Sequence, residues 1–408
     1  MTEEQAIELL SALKKNETRE AEALIKSGRD ILEIRKFLDH HFDPPTARAL
    51  LDCLTARHRF LHKFWRASEW KLNKLASEQA SDSRIAKWRA RELKKLTGLA
   101  SLVELGSGIG GDSVFLAENF HLTSYEKDRG RAVLAQSNLE HFLGHTNHGK
   151  IRASSGDSLI LSGELLFCDP ARRASGNRIS RPEEWLPPLP KLIQAFTEQR
   201  FQAVAIKCAP GLSRDHLGPL EHKASLYYLS INGALKECFA FFHQGEPRTK
   251  ALLFSQWDQE PQCFEKTKAP ILVREPKPGL FLHNPDPAIL RAEALDSLSA
   301  KLDSGIVHPK IAYLVGATPS TTRAGISFKI LEAFPLKWPD LKRRLSASGW
   351  SEYEYLGRGV PFSQPDVRKK IGPLKLKKHE TPRRGSIIMY RKTKGYQVLF
   401  CERVKTVD

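Results

Sequence analysis

From Thr2 to about Leu96 the apolar positions recur at helical spacing, with Ala6, Leu9, Leu10 and Leu13 following the i, i+3, i+4, i+7 rule. Gly28 stands where a C-cap belongs, and Asp30 is placed to cap a helix carrying Ile31, Ile34 and Leu38. Pro44-Pro45 then punctuates before a helix of Ala49, Leu50 and Cys53. The pattern predicts an all-helical N-terminal domain over residues 1–96. Its last stretches, HRFLHKFW and SRIAKWRARELKKL, interleave aromatic and basic residues. They fit a core stripe with solvated charges, or a helix face for a polyanion.

Near Leu99 the rhythm changes to short apolar runs separated by turns and helices. SLVELG, HLTSYE, ELLFCD and QAVAIK each end near a polar residue, which predicts parallel strands flanked by helices. SLYYLSI, ECFAFFHQ and ALLFSQW follow closely enough to be antiparallel strands that finish the sheet. The α/β domain is therefore placed at 97–258. A Lys/Pro-rich stretch leads to one predicted helix, PDPAILRAEALDSLSAKL, and then to an α+β region, giving a third domain at 270–408. Three domains suit 408 residues at about 150 residues per domain. There is no internal repeat.

Charge sharpens this picture. With 64 Lys and Arg against 47 Asp and Glu, the formal net charge is +17, which points to polyanionic partners. Residues 330–408 alone hold 18 Lys and Arg against 8 Asp and Glu. Hydrophobic residues at 41% and charged residues at 27% predict an ordered globular chain. The polar, acidic N-terminus and the absence of long apolar runs predict a cytoplasmic protein with no membrane span. The six cysteines are scattered without zinc spacing, so no metal is expected and reduced thiols are.

The chemistry concentrates at the predicted strand ends. Glu104-Leu105-Gly106-Ser107-Gly108-Ile109-Gly110-Gly111-Asp112 is a glycine-rich turn between a strand and a helix starting near Gly110. Gly106, Gly108 and Gly111 also fit a dinucleotide fingerprint, with Glu126 twenty residues beyond Gly106. The acidic Glu104 separates the two readings. It would attract the amino group of S-adenosylmethionine and repel the pyrophosphate of NAD. Glu126 would then accept the ribose hydroxyls, Lys127 would lie near the adenine, and Asp157 would accept from the adenine amino group or cap a helix.

The fourth run ends Cys168-Asp169-Pro170-Ala171-Arg172. An Asp-Pro turn there resembles the [D/N]PP[aromatic] turn of methyltransferases that act on base amino groups. In those enzymes the carboxylate and a proline carbonyl orient the target nitrogen. Ala171 and Arg172 depart from that pattern. Arg172 or Arg173 would clamp a phosphate, stack on a base or remain a loop charge. Cys208, followed by Ala209-Pro210, also resembles the nucleophile of RNA uracil-C5 methyltransferases, against the plainer reading of a packed strand end.

Taken together, Ser77-Glu78-Gln79-Ala80-Ser81, ELGSGIGGD, DPARR, KCAPGL, Asn284-Pro285-Asp286-Pro287-Ala288 with Arg291, and Gly357-Arg358-Gly359-Val360 carry a resemblance over about residues 65–405. It is to bacterial class I S-adenosylmethionine-dependent methyltransferases with a C-terminal THUMP-like domain. The resemblance implies a Rossmann-like core, a helical N-terminal extension and a C-terminal module for structured RNA. It also implies that Glu78, Gln79 and Ser81 close over the methionine end of the cofactor. The expected activity is methylation of a base nitrogen in tRNA or rRNA. Uracil-C5 methylation through Cys208 and RNA binding without catalysis are the alternatives.

Overall fold

The computed structural model describes residues 1–144, 149–154, 161–174, 177–179, 181–212, 214–257, 259–320, 323–372 and 383–404. They form two compact units. Residues 1–226, 237–248 and 256–258 make the first, and residues 227–236, 249–255 and 259–408 the second.

The first unit opens with α1 (Glu3–Ala12), α2 (Asn16–Lys26), α3 (Ile31–His41), α4 (Pro44–Arg59), α5 (Lys74–Gln79) and α6 (Ser83–Thr97). Side-chain oxygens of Thr2, Asp30, Asp43, Asn73 and Asp82 accept backbone N–H bonds at the starts of α1, α3, α4, α5 and α6, offsetting donors that a helix leaves unpaired. Pro44 and Pro45, expected to precede α4, are its first residues, where proline's missing N–H costs nothing. Then come β1 (Ser101–Leu105), α7 (Ser113–Ala117), β2 (His121–Glu126), α8 (Arg129–Leu143), β3 (Gly149–Ala153), β4 (Gly163–Cys168), the short hairpin β5 (Arg173–Ala174) and β6 (Asn177–Arg178), α9 (Leu189–Thr197) and β7 (Phe201–Cys208). The helices at the N-terminus belong to the same unit as these strands, because α1 packs on α8 at Gly130. A Cβ at Gly130 would stand 2.7 Å from the carbonyl oxygen of Thr2.

The four predicted runs are β1, β2, β4 and β7, in parallel register: Leu105 pairs with Tyr125 and Cys168, and Cys168 with Ile206. β3 flanks β2 in parallel, pairing Glu126 with Ala153. Strands β8 (Ala224–Ile231), β9 (Ala234–Phe242), β10 (Thr249–Phe254) and β11 (Gln262–Glu265) follow. β9 runs antiparallel to β7, with Cys208 opposite Cys238. Within the first unit the strand order is thus β9-β7-β4-β1-β2-β3.

The second unit continues with β12 (Phe281–Pro285), α10 (Pro287–Arg291), α11 (Leu295–Lys301), β13 (Ser304–His308), β14 (Ile311–Gly316), β15 (Gly325–Pro335), α12 (Trp338–Ala347), β16 (Glu352–Arg358), α13 (Gln364–Ile371), β17 (Arg384–Arg391) and β18 (Tyr396–Arg403). The helix expected over PDPAILRAEALDSLSAKL is two helices. α10 stops at Arg291, and Glu293 takes a left-handed φ of 55° before α11 begins. A seven-stranded sheet of order β13-β14-β12-β15-β18-β17-β16 carries an apolar cluster on each face. Leu341 and Leu345 of α12 and Val367 and Ile371 of α13 share one of these clusters with Ile387, Met389, Val398 and Phe400. Among the described residues no helix is long and apolar enough to cross a membrane.

Candidate active site

The chain leaves β1 for β2 and β3 on one side and returns to β4 and β7 on the other. In open α/β sheets such a reversal forms a crevice at the carboxyl ends of the strands, where ligands bind. Two turns adjoin there. The glycine turn follows β1, Asp169-Pro170 follows β4, and the Asp169 N–H donates to the Leu105 carbonyl at 3.1 Å. Gly106 has φ +84°, and a Cβ on it would lie 2.8 Å from the Asp169 carbonyl oxygen. Glycine is what lets the two turns meet.

Glu104 is 1% exposed and accepts from Ser113 Oγ at 2.6 Å. Burial pushes its carboxyl up to about 7. The Ser113 hydrogen bond opposes that rise, and the nearby charges of Asp112 and Asp169 add to it. Among the described residues no cation is paired with Glu104, so the site holds a buried carboxylate that a ligand's ammonium group would complete.

Glu126 ends β2 and is fixed by two backbone donors, Gly108 N–H at 2.7 Å and Asp128 N–H at 2.9 Å. The glycine turn and the ribose-binding candidate are thereby held together. Lys127 is exposed beside them. Gln79 is exposed at the end of α5, and its neighbour Ala80 faces the turn, 3.3 Å from where a Cβ on Gly111 would stand. Gly110, with φ +85°, packs on Ala135 of α8. Asp157 lies outside the described residues.

Asp112, the last residue of the glycine turn, is bound within the protein. It accepts from Ser81 Oγ at 2.6 Å and is ion-paired with Arg89, whose other amino group pairs with Glu237. Arg89 is wholly buried between the rings of Phe167 and Phe239. Asp112 is therefore an anchor of the turn. Alongside this network Lys207 Nζ donates to Asp169 Oδ2 at 2.7 Å, with the lysine side chain 6% exposed and Asp169 24%. Burial alone would lower the Lys207 pKa; Asp169, Glu237 and Asp112 outweigh it and hold the ammonium protonated.

Arg89, Lys207 and Glu237 were not singled out by the sequence reading. Of the three, Lys207 carried a signal: it is a lone charge in AIKC, where Ala205, Ile206 and Cys208 are all buried. Arg172 is half-buried, its guanidinium 5.8 Å from the centre of the Trp185 ring, so its stacking partner is the protein's own indole. Pro170 is buried, and Ala171 bridges to Leu186 in both directions, at 2.8 and 3.1 Å. Cys208 is fully buried, and burial pushes its thiol well above the ordinary range. Among the described residues no cluster of three metal-ligating side chains occurs.

The Glu104 carboxyl gives a pH dependence. Its folded pKa lies above the ordinary glutamate value of 4.5, so ionising it costs stability: the contribution is intact below 4.5 and is lost as pH rises towards 7. A cationic ligand favours the ionised form. Affinity for S-adenosylmethionine is therefore expected to rise from pH 5.5 to 8 with release of a proton, and Glu104→Gln should flatten that slope. Calorimetry in buffers of different ionisation enthalpy reads both. A wild-type affinity independent of pH would remove Glu104 from this role.

No family model matches the chain. It is similar to two proteins of Mycobacterium tuberculosis, from strains CDC 1551/Oshkosh and ATCC 25618/H37Rv, each named an uncharacterized S-adenosylmethionine-dependent methyltransferase. Both are 26% identical over 323 residues, which is 74% of this chain and 81% of theirs. A crystal structure from Porphyromonas gingivalis W83, provisionally named a methyltransferase, matches with a TM-score of 0.67. That match has 18% identity and covers 92% of this chain and 98% of that one, a likeness of fold. Relatives and fold together support an S-adenosylmethionine-dependent methyltransferase, with S-adenosylmethionine as its cofactor.

Proposed function

We propose that this protein transfers a methyl group from S-adenosylmethionine to a base nitrogen of tRNA or rRNA in the cytoplasm. The observation that carries this reading is the contact of the Asp169-Pro170 turn with Gly106, beside the unpaired buried carboxylate of Glu104. The cofactor supplies an electrophilic methyl group. Glu104, Gly106, Gly108, Glu126, Gln79 and Lys127 surround it, with Gly110 and Asp112 shaping the turn. Asp169 and the Pro170 carbonyl orient the acceptor nitrogen.

RNA is favoured by the net charge of +17 and by the second unit, read as a THUMP-like module. Lys342 and Arg343 of α12 and Arg368, Lys369 and Lys370 of α13 are exposed, while the apolar sides of the same helices face the sheet. Such a surface contacts phosphates and gives an affinity that falls steeply with salt.

The test is transfer of labelled methyl groups to RNA from a strain lacking the protein. Label in a discrete RNA species is expected. Cofactor binding without any labelled RNA would defeat the reading and favour RNA binding without catalysis. Cys208→Ala is expected to keep full activity, because its buried thiol is far from the thiolate that covalent catalysis needs. Loss of all transfer in that variant, with folding intact, would restore the uracil-C5 alternative.

A further inference from the structure

The acceptor carboxylate does not stand alone. Asp169 Oδ2 is bound to the ammonium of Lys207 at 2.7 Å, and a second cation, Arg89, lies behind them with Asp112 and Glu237. Burying a lysine is costly, and the ion pair is kept where the methyl acceptor is read to sit. A site that only had to accept hydrogen bonds from an amino group would need the carboxylate and the Pro170 carbonyl. It would have no use for an ammonium group.

The sign of the charge that develops decides what the ammonium is for. An exocyclic amino nitrogen becomes positive as it takes the methyl, and a neighbouring ammonium opposes that. A ring N–H beside a carbonyl, the lactam or imide edge of guanine and uracil, behaves in the opposite way. Losing its proton, it places negative charge on the carbonyl oxygen, which an ammonium stabilises.

We propose that the acceptor is such a lactam or imide nitrogen, with Asp169 as its base and Lys207 as the counter-ion of the deprotonated base. This rests on the reading of the site as a base-nitrogen methyltransferase. The ring N–H proton passes to the Asp169 carboxylate. The ring nitrogen forms a bond to the methyl carbon as the carbon–sulfur bond breaks, and that electron pair stays on sulfur. Protonation neutralises Asp169 and frees Lys207 from its carboxylate. The ammonium then pairs with the carbonyl oxygen until the nitrogen is methylated, and Asp169 afterwards returns its proton to solvent. Where the resembled turn has an aromatic residue, this chain has Arg172, its guanidinium 5.8 Å from the centre of the Trp185 ring.

The experiment is nucleoside analysis of RNA from a strain lacking the protein after labelling with the full-length wild type, together with kinetics of Lys207→Met and Lys207→Arg. The expected product is a ring-nitrogen methyl on guanosine or uridine. Lys207→Met should lower kcat about 100-fold or more with little change in cofactor affinity, and Lys207→Arg should recover part of it. Label on an exocyclic amino group or a ribose hydroxyl would overturn this proposal while leaving RNA methylation standing. So would a Lys207→Met enzyme that folds, binds cofactor and turns over as wild type. Failure of the wild type to label any RNA would overturn both readings.

Discussion

Asp169→Asn is expected to lower methyl transfer about 10²–10⁴-fold, the range for loss of a positioned base, while cofactor affinity stays within a few-fold of wild type. The amide keeps the volume of the carboxylate and its place against Lys207, and the backbone bond from Asp169 N–H to Leu105 is untouched. What it lacks is the capacity to take a proton and the charge that balances the lysine. Some stability should go as well, since Lys207 is left buried beside a neutral group. Measuring single-turnover transfer and calorimetric cofactor binding on the same preparation separates the two effects. Transfer within threefold of wild type would take Asp169 out of the chemistry.

That residue was legible because three constraints coincide on it. Apolar runs mark strands, a strand's carboxyl end marks the ligand edge of a parallel sheet, and the Asp-Pro turn resembles the [D/N]PP turn of methyltransferases that act on base amino groups. The same reasoning reached Glu104 and Glu126. Periodicity also reached the helix ends at Asp30 and Gly28, because caps are local devices written in adjacent residues.

Arg89 and Glu237 were beyond it for a physical reason. They are 148 positions apart, and a buried charge is indistinguishable in sequence from a solvated one until its partner is known. SRIAKWRARELKKL reads as an amphipathic helix with basic residues facing water, yet α6 turns Arg89 inwards among Ile85, Ala86, Ala90 and Leu93. The break at Glu293 was missed for a related reason: a left-handed residue within a helical pattern carries no mark when it is not glycine or asparagine. Asp112 was legible as the end of the glycine turn, but its bonds to Ser81 and Arg89 depend on partners distant in sequence.

The buried arginine carries the largest expected effect on stability. Arg89→Met keeps an apolar stem between Phe167 and Phe239 but leaves Asp112 and Glu237 without their cation. Removing one partner of a buried pair costs about 3–5 kcal/mol, so the thermal midpoint should fall by on the order of 10 °C. Combining Arg89→Met with Asp112→Asn and Glu237→Gln removes the uncompensated charges and should recover most of that loss, since a neutral interior can be as stable as a well-made ion pair. Cofactor affinity should stay reduced in the triple variant. The Arg89 to Asp112 bond fixes the residue that leads into α7, and with it the turn that begins at Gly106. Thermal unfolding and cofactor titration of the single and triple variants test this together. A single variant with a wild-type midpoint, or a triple variant that binds cofactor normally, would show that the network neither supports the first unit nor positions its glycine turn.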